Sequence, residues 1–428
     1  MPRVREYLAA AVMMTAIVSS SCLAANAEPQ NFDGTLTLQD AVARVQSSGF
    51  DVRAARGDAA MAAADAATVR ASLRPQISIS AIGLDGNEPQ LGLPVSNQAY
   101  GQAALTLPLF TPSTRFSARA ASTTARAAGT SVESTANDAV YAAVQEYRRA
   151  QLASAVFEAR RIAVRDQQDH VRLTQIRVGD GKSPRYLLAR DRAALAVAEQ
   201  SQEDAAAEKD QTANDLAALL DYAVDSRLGI EPLTAESFDE TREAVVSRAL
   251  AQQPALLAAQ HRVAAAESSL GAAHGAYLPS ASLTAQSYNG TSSPSLGHGG
   301  GQIQVMATLP VVDGGSRAAA VERARGDLDK ATALRDQVRV NVERDVADAY
   351  RELAAAERNL ATAQAAQNDA SEQLRIARVR ESAGKGIELE TLDALAVAAQ
   401  VRETALRALA RFDDAIAAVH HAAGDRSG

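Results

Sequence analysis

The chain of 428 residues repeats itself, and this duplication restricts the folds open to it more than any other feature. Four short segments of the first half recur in the second: Leu73-Arg74-Pro75 as Tyr277-Leu278-Pro279, Leu107-Pro108-Leu109-Phe110 as Leu309-Pro310-Val311-Val312, Tyr147-Arg148 as Tyr350-Arg351, and Gly181-Lys182 as Gly384-Lys385. The offset stays between 202 and 204 residues, so the helical register is kept. The sequence therefore predicts two copies of one unit.

The predicted organisation follows from this offset. Residues 1–27 form a signal peptide, residues 28–222 the first repeat, residues 223–240 a linker and residues 241–428 the second repeat. Each repeat is expected to contain a helix, a strand hairpin and a helical hairpin. The strand hairpins are predicted at 76–108 and 280–310, and the turns at the tips of the helical hairpins near 178–184 and 383–387.

The N-terminus reads as an export signal. Arg3 and Arg5 precede an apolar run, and Ala25-Asn26-Ala27 fits a signal-peptidase site before Glu28. The single cysteine, Cys22, precedes that site, so a mature chain cut there has no disulfide. The alternative is cleavage before Cys22 followed by lipidation. Ser19 argues against it, because a bulky apolar residue is usual three positions before the lipidated cysteine.

The composition disfavours a thick globular core. Hydrophobic residues make up 47% of the chain but aromatic residues only 4%, so alanine carries much of the apolar content. Small side chains let helices approach closely over long distances. With 43 basic and 51 acidic residues the net charge is −8, which provides no basic field for nucleic acid.

Four segments alternate apolar and small polar residues with a period of two, which predicts strands with two different faces. The apolar members that we expect to face lipid are Ile77, Ile79, Leu105, Leu107, Leu283, Ile303, Val305 and Leu309. Half-buried hairpins in a soluble sheet are the alternative, but the sequence supplies no layer of large side chains to cover them. Since four strands cannot close a barrel and open edges are not tolerated in lipid, several chains must pool their strands.

Two proline-free segments, from Ser113 to about Val178 and from Ser316 to about Glu381, predict single long helices. Each would span on the order of 100 Å. Each meets a glycine-containing breaker and returns as a second helix, ending near Tyr222 or Val419. The sequence thus predicts two long helical hairpins.

This duplicated order of helix, strands and helical hairpin resembles the TolC family of outer-membrane efflux proteins over essentially the whole mature chain. The resemblance implies an α+β membrane protein: a homotrimer in which each chain gives four amphipathic strands to a shared transmembrane β-barrel, continued by a periplasmic α-helical barrel of coiled-coil hairpins. It implies a place in the Gram-negative cell outer membrane, in contact with its lipid and extending into the periplasm. It also implies two further partners, a periplasmic adaptor (membrane fusion) protein and an inner-membrane transporter.

The resemblance also implies two sites at the helical tips. Glu390 and Asp393, one turn apart on a helix, resemble the acidic constriction of family members that gate with carboxylate rings, with Glu rather than Asp at the first position. The alternative is an ordinary solvated helix face, and the first repeat has Leu187 and Arg190 at the equivalent positions. The tip residues that would meet the adaptor are Val178, Gly179, Gly181, Lys182, Gly384, Lys385 and Gly386.

No catalytic motif, cofactor or metal site is predicted, and nucleic acid is not an expected partner. His420 and His421 are expected to be a solvated terminus rather than metal ligands. Together with the resemblance to the TolC family, this implies a non-enzymatic channel of a tripartite efflux or type I secretion system. The alternative is a soluble periplasmic coiled-coil scaffold without a pore.

Overall fold

The computed structural model describes residues 33–87, 94–223, 227–290, 300–383, 385–386 and 388–425. The predicted signal peptide, Cys22 and Gly384 lie outside these residues. The first half contains β1 Asp33–Leu36, α1 Leu38–Ser48, α2 Phe50–Ala71, β2 Gln76–Asn87, β3 Pro94–Phe110, α3 Pro112–Gly179 and α4 Arg185–Leu219. The second contains β4 Arg227–Ile230, α5 Arg242–Gln252, α6 Pro254–Gly275, β5 Ser280–Gly290, β6 Gly300–Thr308, α7 Ser316–Ser382 and α8 Glu388–Ala423.

The long helices α3 and α7 dominate the molecule, with 68 and 67 residues. Their bounds agree with the prediction to within one residue at each end. Pro112 opens α3 at a position where its missing N–H costs nothing. At about 1.5 Å per residue each helix is roughly 100 Å long. Among the described ranges, no helix has the length and apolar character needed to cross a bilayer.

The first repeat was expected to begin with one helix but begins with two, because the chain breaks at Gly49. Thr37 caps α1 in a reciprocal capping box with Asp40. Gly49 then leaves the helical conformation, with φ −52° and ψ 136°. A Cβ at this residue would lie 2.6 Å from the Val45 carbonyl oxygen, which is closer than any side chain tolerates. The short α1 is thereby separated from α2.

The two halves are joined by two four-residue strands that the sequence did not reveal. β4 lies within the segment predicted as a linker and pairs in parallel with β1, from Asp33 opposite Arg227 to Leu36 opposite Ile230. The side chain of Leu36 is fully buried and packs with Tyr147 and Leu216 in a core cluster. The start of the described chain is therefore held against the junction between its halves.

Helix α3 is the centre of the packing. It contacts α4, with which it forms the first hairpin, and also α2, α6 and α8. Its buried positions are mainly alanine and valine, as the alanine-rich composition predicts. A second core cluster, around Val245, Val346 and Ile416, joins α5, α7 and α8.

Candidate functional site

The four strands β2, β3, β5 and β6 form one antiparallel sheet in that spatial order. Its register aligns the predicted apolar residues in rows. One row is Ile77, Leu105, Ala285 and Ile303, and the next is Leu107, Leu283 and Val305. Residues opposite one another share a face of the sheet, so the apolar residues lie together on one side.

On the two outer strands, β2 and β6, the side chains of this apolar face are exposed. Ile77, Ile79, Ile303 and Val305 are 74%, 84%, 77% and 63% exposed, while the inner-strand residues Leu105, Leu107 and Leu283 are half-buried. Leu309 is also exposed but lies one residue beyond β6, because the strand ends at Thr308 and Pro310 has no N–H for pairing. The sheet therefore presents unburied Ile and Val side chains that the chain's own helices do not cover.

The opposite face is polar. Gln76, Thr106, Thr284 and Gln304 form one row across the four strands. In the adjacent row the side-chain amide of Gln302 donates to Gln286 Oε1 at 3.5 Å. A sheet with one apolar and one glutamine-rich face can separate hydrocarbon from water.

The edges of the sheet are incomplete. Strands β2 and β6 each pair on one side only within the described part of the chain. An edge strand presents a row of unpaired N–H and C=O groups and is a template for another strand. The sheet is thus open to extension at both ends.

The first helical tip is a compact turn at the end of α3. Val178 and Gly179 belong to the last turn of the helix, and Gly181 adopts a positive φ of 73°, which favours glycine. The Lys182 ammonium group contacts the Asp180 carboxylate at 3.0 Å, and its backbone N–H donates to the Arg177 carbonyl at 2.8 Å. Gly179, Gly181 and Lys182 are exposed.

The second tip turns after α7 in a related way. The backbone N–H groups of Lys385 and Gly386 both donate to the Arg380 carbonyl, at 2.9 and 3.0 Å. A Cβ on Gly386 would lie 2.8 Å from the Glu381 backbone nitrogen, so this position requires glycine. An ion pair between Arg177 and Glu381 joins the two tips.

The predicted acidic pair lies on the first turns of α8 in two different environments. The Glu390 carboxylate accepts from Arg380 Nη1 at 3.1 Å, so its charge is partly compensated. Asp393 is exposed and has no ion pair with the described residues. It lines a groove of about 650 Å³ between the two helical hairpins, to which Arg160, Arg190 and Glu403 also contribute. Arg160 Nη2 bridges the hairpins by contacting Glu403 at 3.0 Å.

A buried ionic cluster, which the sequence analysis missed, lies at the far end of α8. The Arg148 guanidinium pairs with Glu236 and lies 3.9 Å from the Asp413 carboxylate. Asp413 Oδ1 accepts from the Glu236 backbone N–H at 3.1 Å, and the side-chain amide of Gln151 donates to the Glu231 carbonyl at 3.0 Å. The segment after β4 is therefore fastened to α3 and α8.

Burial controls the protonation of this cluster. The side chain of Asp413 is fully buried, and desolvation raises its pKa to about 6, although Arg148 acts in the opposite direction. Burial likewise raises the pKa of Asp414 to about 6, again against the pull of Arg148. The only signal in the sequence was the recurring Tyr-Arg pair, which marks the position but not its partners.

The expectation that His420 and His421 form a solvated terminus is wrong. His421 Nε2 lies 2.8 Å from Asp138 Oδ1, and its ring stacks on Tyr141 at 4.4 Å. His420 Nδ1 lies 3.4 Å from Asp425 Oδ2. Both rings hold the end of α8 against neighbouring segments. Among the residues that the structure describes, no group of three or more His, Cys, Asp or Glu is arranged to hold a metal ion.

The fold is that of several solved membrane proteins. CusC has a TM-score of 0.79 at 19% identity, covering 92% of this chain and 94% of its own. VceC of Vibrio cholerae has a TM-score of 0.77 at 19% identity, covering 91% and 96%. MtrE of Neisseria gonorrhoeae, solved in its open state, has a TM-score of 0.77 at 20% identity, covering 91% and 89%. The predicted fold, long helical hairpins with four amphipathic strands, is confirmed.

The sequence comparisons find a family match over part of the chain. Residues 245–425 match the model of the outer membrane efflux protein family. Outer membrane protein OprJ of Pseudomonas aeruginosa is 32% identical over 154 residues, which is 35% of this chain. The match spans about a third (32%) of the length of that curated relative.

Proposed function

We propose that the chain is the outer-membrane channel of a tripartite efflux or type I secretion system. Substrates delivered by an inner-membrane transporter would pass through a periplasmic helical tube and a β-barrel to the exterior. Three copies would pool their strands, each copy extending the open edges β2 and β6 of its neighbours. The proposal assigns passage to this chain and no chemical reaction.

The observation that carries the proposal is the two-faced sheet. Its exposed isoleucine and valine side chains suit hydrocarbon, and its glutamine and threonine face suits a water-filled lumen. A soluble scaffold would leave this apolar face in water, where such patches cause association. The fold shared with CusC, VceC and MtrE supports the same conclusion.

Adjacent residues of β6 provide a matched test. Ile303→Lys places a charge on the apolar face at a cost of about 2–4 kcal/mol at the bilayer midplane. Gln304→Lys places the same charge on the polar face of the same strand. We expect I303K to reduce the amount of crosslinkable trimer in the outer-membrane fraction, and Q304K to remain inserted with altered ion selectivity in planar bilayers. Equal insertion of both variants, or a protein that salt removes from membranes, contradicts the proposal.

We further propose that Asp393, with Glu390, forms the constriction of the channel. A three-fold axis would repeat the two carboxylates into a ring that attracts cations. Because Arg380 already pairs with Glu390, Asp393 is expected to contribute more. Asp393→Ala should relieve block of conductance by divalent cations more than Glu390→Ala. The exposed acid Asp369 on α7 provides the control variant, D369A, which should leave the block unchanged. Unchanged block in D393A removes the assignment.

The two tips are proposed as the adaptor-docking site. Lys182 and Lys385 are exposed there, and both are accessible to a crosslinking reagent once replaced by cysteine. We expect Lys182→Cys and Lys385→Cys to crosslink in cells to a periplasmic adaptor identified by mass spectrometry. Glu208→Cys, exposed on α4 about 40 Å from the tip, should not. Crosslinking from Glu208→Cys alone places the docking site elsewhere.

A further inference from the structure

A groove of about 580 Å³ lies beside the sheet, at the junction between strands and helices. It runs over the first turns of α3 and is bounded by the end of α2 and by Ser268 of α6. Four arginines line it without any acidic residue: Arg70, Arg115, Arg119 and Arg126. We call it the arginine groove.

These arginines lack acidic partners in the part of the chain that the structure describes. Arg70 Nη2 donates to Ser122 Oγ at 2.9 Å, and Arg119 lies over the Phe116 ring at 5.3 Å. No ion pair of Arg115 or Arg126 occurs among the described residues. The first turn of α3 has no acidic residue either, and cations near a helix N-terminus are unfavourable. The cluster thus carries uncompensated positive charge.

The second repeat shows how such an arginine is satisfied within the chain. Arg317 follows the proline of the recurring Leu-Pro at the same distance as Arg115 does in the first repeat. Arg317 Nε contacts Asp313 at 2.7 Å, and its Nη1 donates to the Pro310 carbonyl at 2.6 Å. Thr111 stands in the first repeat where the second has Asp313. The arginine groove therefore lacks the internal anion that its counterpart has.

The surroundings of the groove indicate the kind of anion. Leu73 gives it an apolar margin, and Gln76, where β2 begins, follows three residues later. Ile77, on the apolar face of the sheet, comes next along the chain. Arginine binds phosphate oxygens through its planar fork of donors. A ligand with a phosphate group and an apolar tail fits this arrangement.

We propose that the arginine groove binds a phosphate-bearing anion. An anionic lipid headgroup and a free phosphate ester present the same chemistry. The position beside the apolar sheet face favours the headgroup, and this source rests on the proposed membrane function. Bound there, the phosphate replaces the carboxylate that Asp313 supplies in the second repeat.

Native mass spectrometry of the full-length protein in neutral detergent tests the proposal. The probes are phosphatidylglycerol, phosphatidylcholine and glycerol phosphate. We expect the wild type to retain phosphatidylglycerol in preference to phosphatidylcholine, and the double variant R119Q/R126Q to bind it about tenfold more weakly. The control R165Q/R192Q removes two exposed arginines of the same hairpin that have no ion pair with the described residues, and should bind like the wild type.

The outcomes separate the two sources. Phosphatidylglycerol binding that excess glycerol phosphate does not displace supports the headgroup, and binding of glycerol phosphate without lipid preference supports the free ester. Equal binding by R119Q/R126Q and R165Q/R192Q, or no binding by the wild type, overturns the proposal. Conductance of the same preparations in planar bilayers is recorded separately, so that loss of the anion site is distinguished from loss of the channel.

Discussion

Each repeat contains one Tyr-Arg pair. The tyrosine makes the same kind of hydrogen bond in both repeats, whereas the arginine has a different environment in each. Tyr147 donates to the Leu36 carbonyl at 2.8 Å, and Tyr350 donates to the Glu240 carbonyl at 3.0 Å, so each tyrosine fastens the segment that leads into its own repeat. The arginines differ. The side chain of Arg148 is 5% exposed beside Asp413, whereas that of Arg351 is 77% exposed and pairs with Asp348.

This difference shows which contacts of a duplicated residue pair are kept in both copies and which can diverge. The backbone contact of the tyrosine serves any copy of the unit, because every copy needs its entry segment held in place. The arginine of the first copy faces Glu236, in the segment that joins the copies, and the end of α8. The equivalent arginine of the second copy faces no joining segment in the described chain and stays at the surface. Position in the chain, rather than local sequence, decides the role.

The largest expected effect comes from replacing the two arginines. Arg148→Met leaves Asp413 buried without its cation, which typically costs about 3–5 kcal/mol. Arg351→Met removes one exposed pair, worth at most about 1 kcal/mol. Thermal unfolding followed by circular dichroism should show a large decrease of Tm for R148M and almost none for R351M. Equal decreases would mean that the burial of Arg148 does not matter.

The pH dependence of stability sharpens the same comparison. Burial raises the pKa of Asp413 from 3.8 to about 6, so its favourable contribution is complete below pH 4 and is lost as the pH rises through 6. Asp413→Asn stays neutral and can still accept from the Glu236 N–H. We expect D413N to raise Tm at pH 8, by an effect on the order of 1–3 kcal/mol, and not at pH 4. D369N, an exposed control, should have the Tm of the wild type at both pH values. The same change of Tm for D413N at pH 8 and pH 4 would contradict the assignment.

Replacing the two tyrosines should give a smaller difference in stability than replacing the two arginines. Tyr147→Phe leaves the buried Leu36 carbonyl without a donor, at a cost of about 1–3 kcal/mol. Tyr350→Phe exposes the Glu240 carbonyl to water, so we expect a loss below about 1 kcal/mol. Tm measurements on the two variants compare the hydrogen bonds directly. A larger decrease for Y350F would show that burial of the accepting carbonyl does not determine the strength of this contact.

The smallest effect concerns the two arginines after the recurring Leu-Pro. Arg317→Gln loses the contacts with Asp313 and the Pro310 carbonyl and should lower Tm slightly. Arg115→Gln removes a charge that has no acidic partner in the described chain, so we expect no loss of Tm in neutral detergent. Destabilisation by R115Q under these conditions would indicate a partner within the protein.

The sequence predicted the elements whose signals are long and local. Strand alternation placed Ile77, Leu105 and Ile303 on one face, and the absence of proline gave α3 and α7 almost to the residue. It missed β1 and β4, because four residues are too few to show a period of two. It also missed the break at Gly49, since helical spacing of alanines continues across that residue.

The buried contacts could not be predicted from the sequence for a different reason, because they join residues that are far apart in the chain. Arg148 and Asp413 are separated by most of the chain, and nothing in the neighbourhood of either residue distinguishes it from an exposed charge. Likewise, the pairing of Glu390 with Arg380 depends on the geometry of the second tip, not on the spacing of the acids. Such pairs are defined by packing between distant helices.

The two unpaired edges of the sheet bear on how the protein is made. A single copy that entered hydrocarbon would bring the free amides of β2 and β6 with it, each costing several kcal/mol. Under the proposed function, insertion into hydrocarbon and association of the copies would therefore be one concerted event. Backbone hydrogen bonding would thereby select complete assemblies during biogenesis.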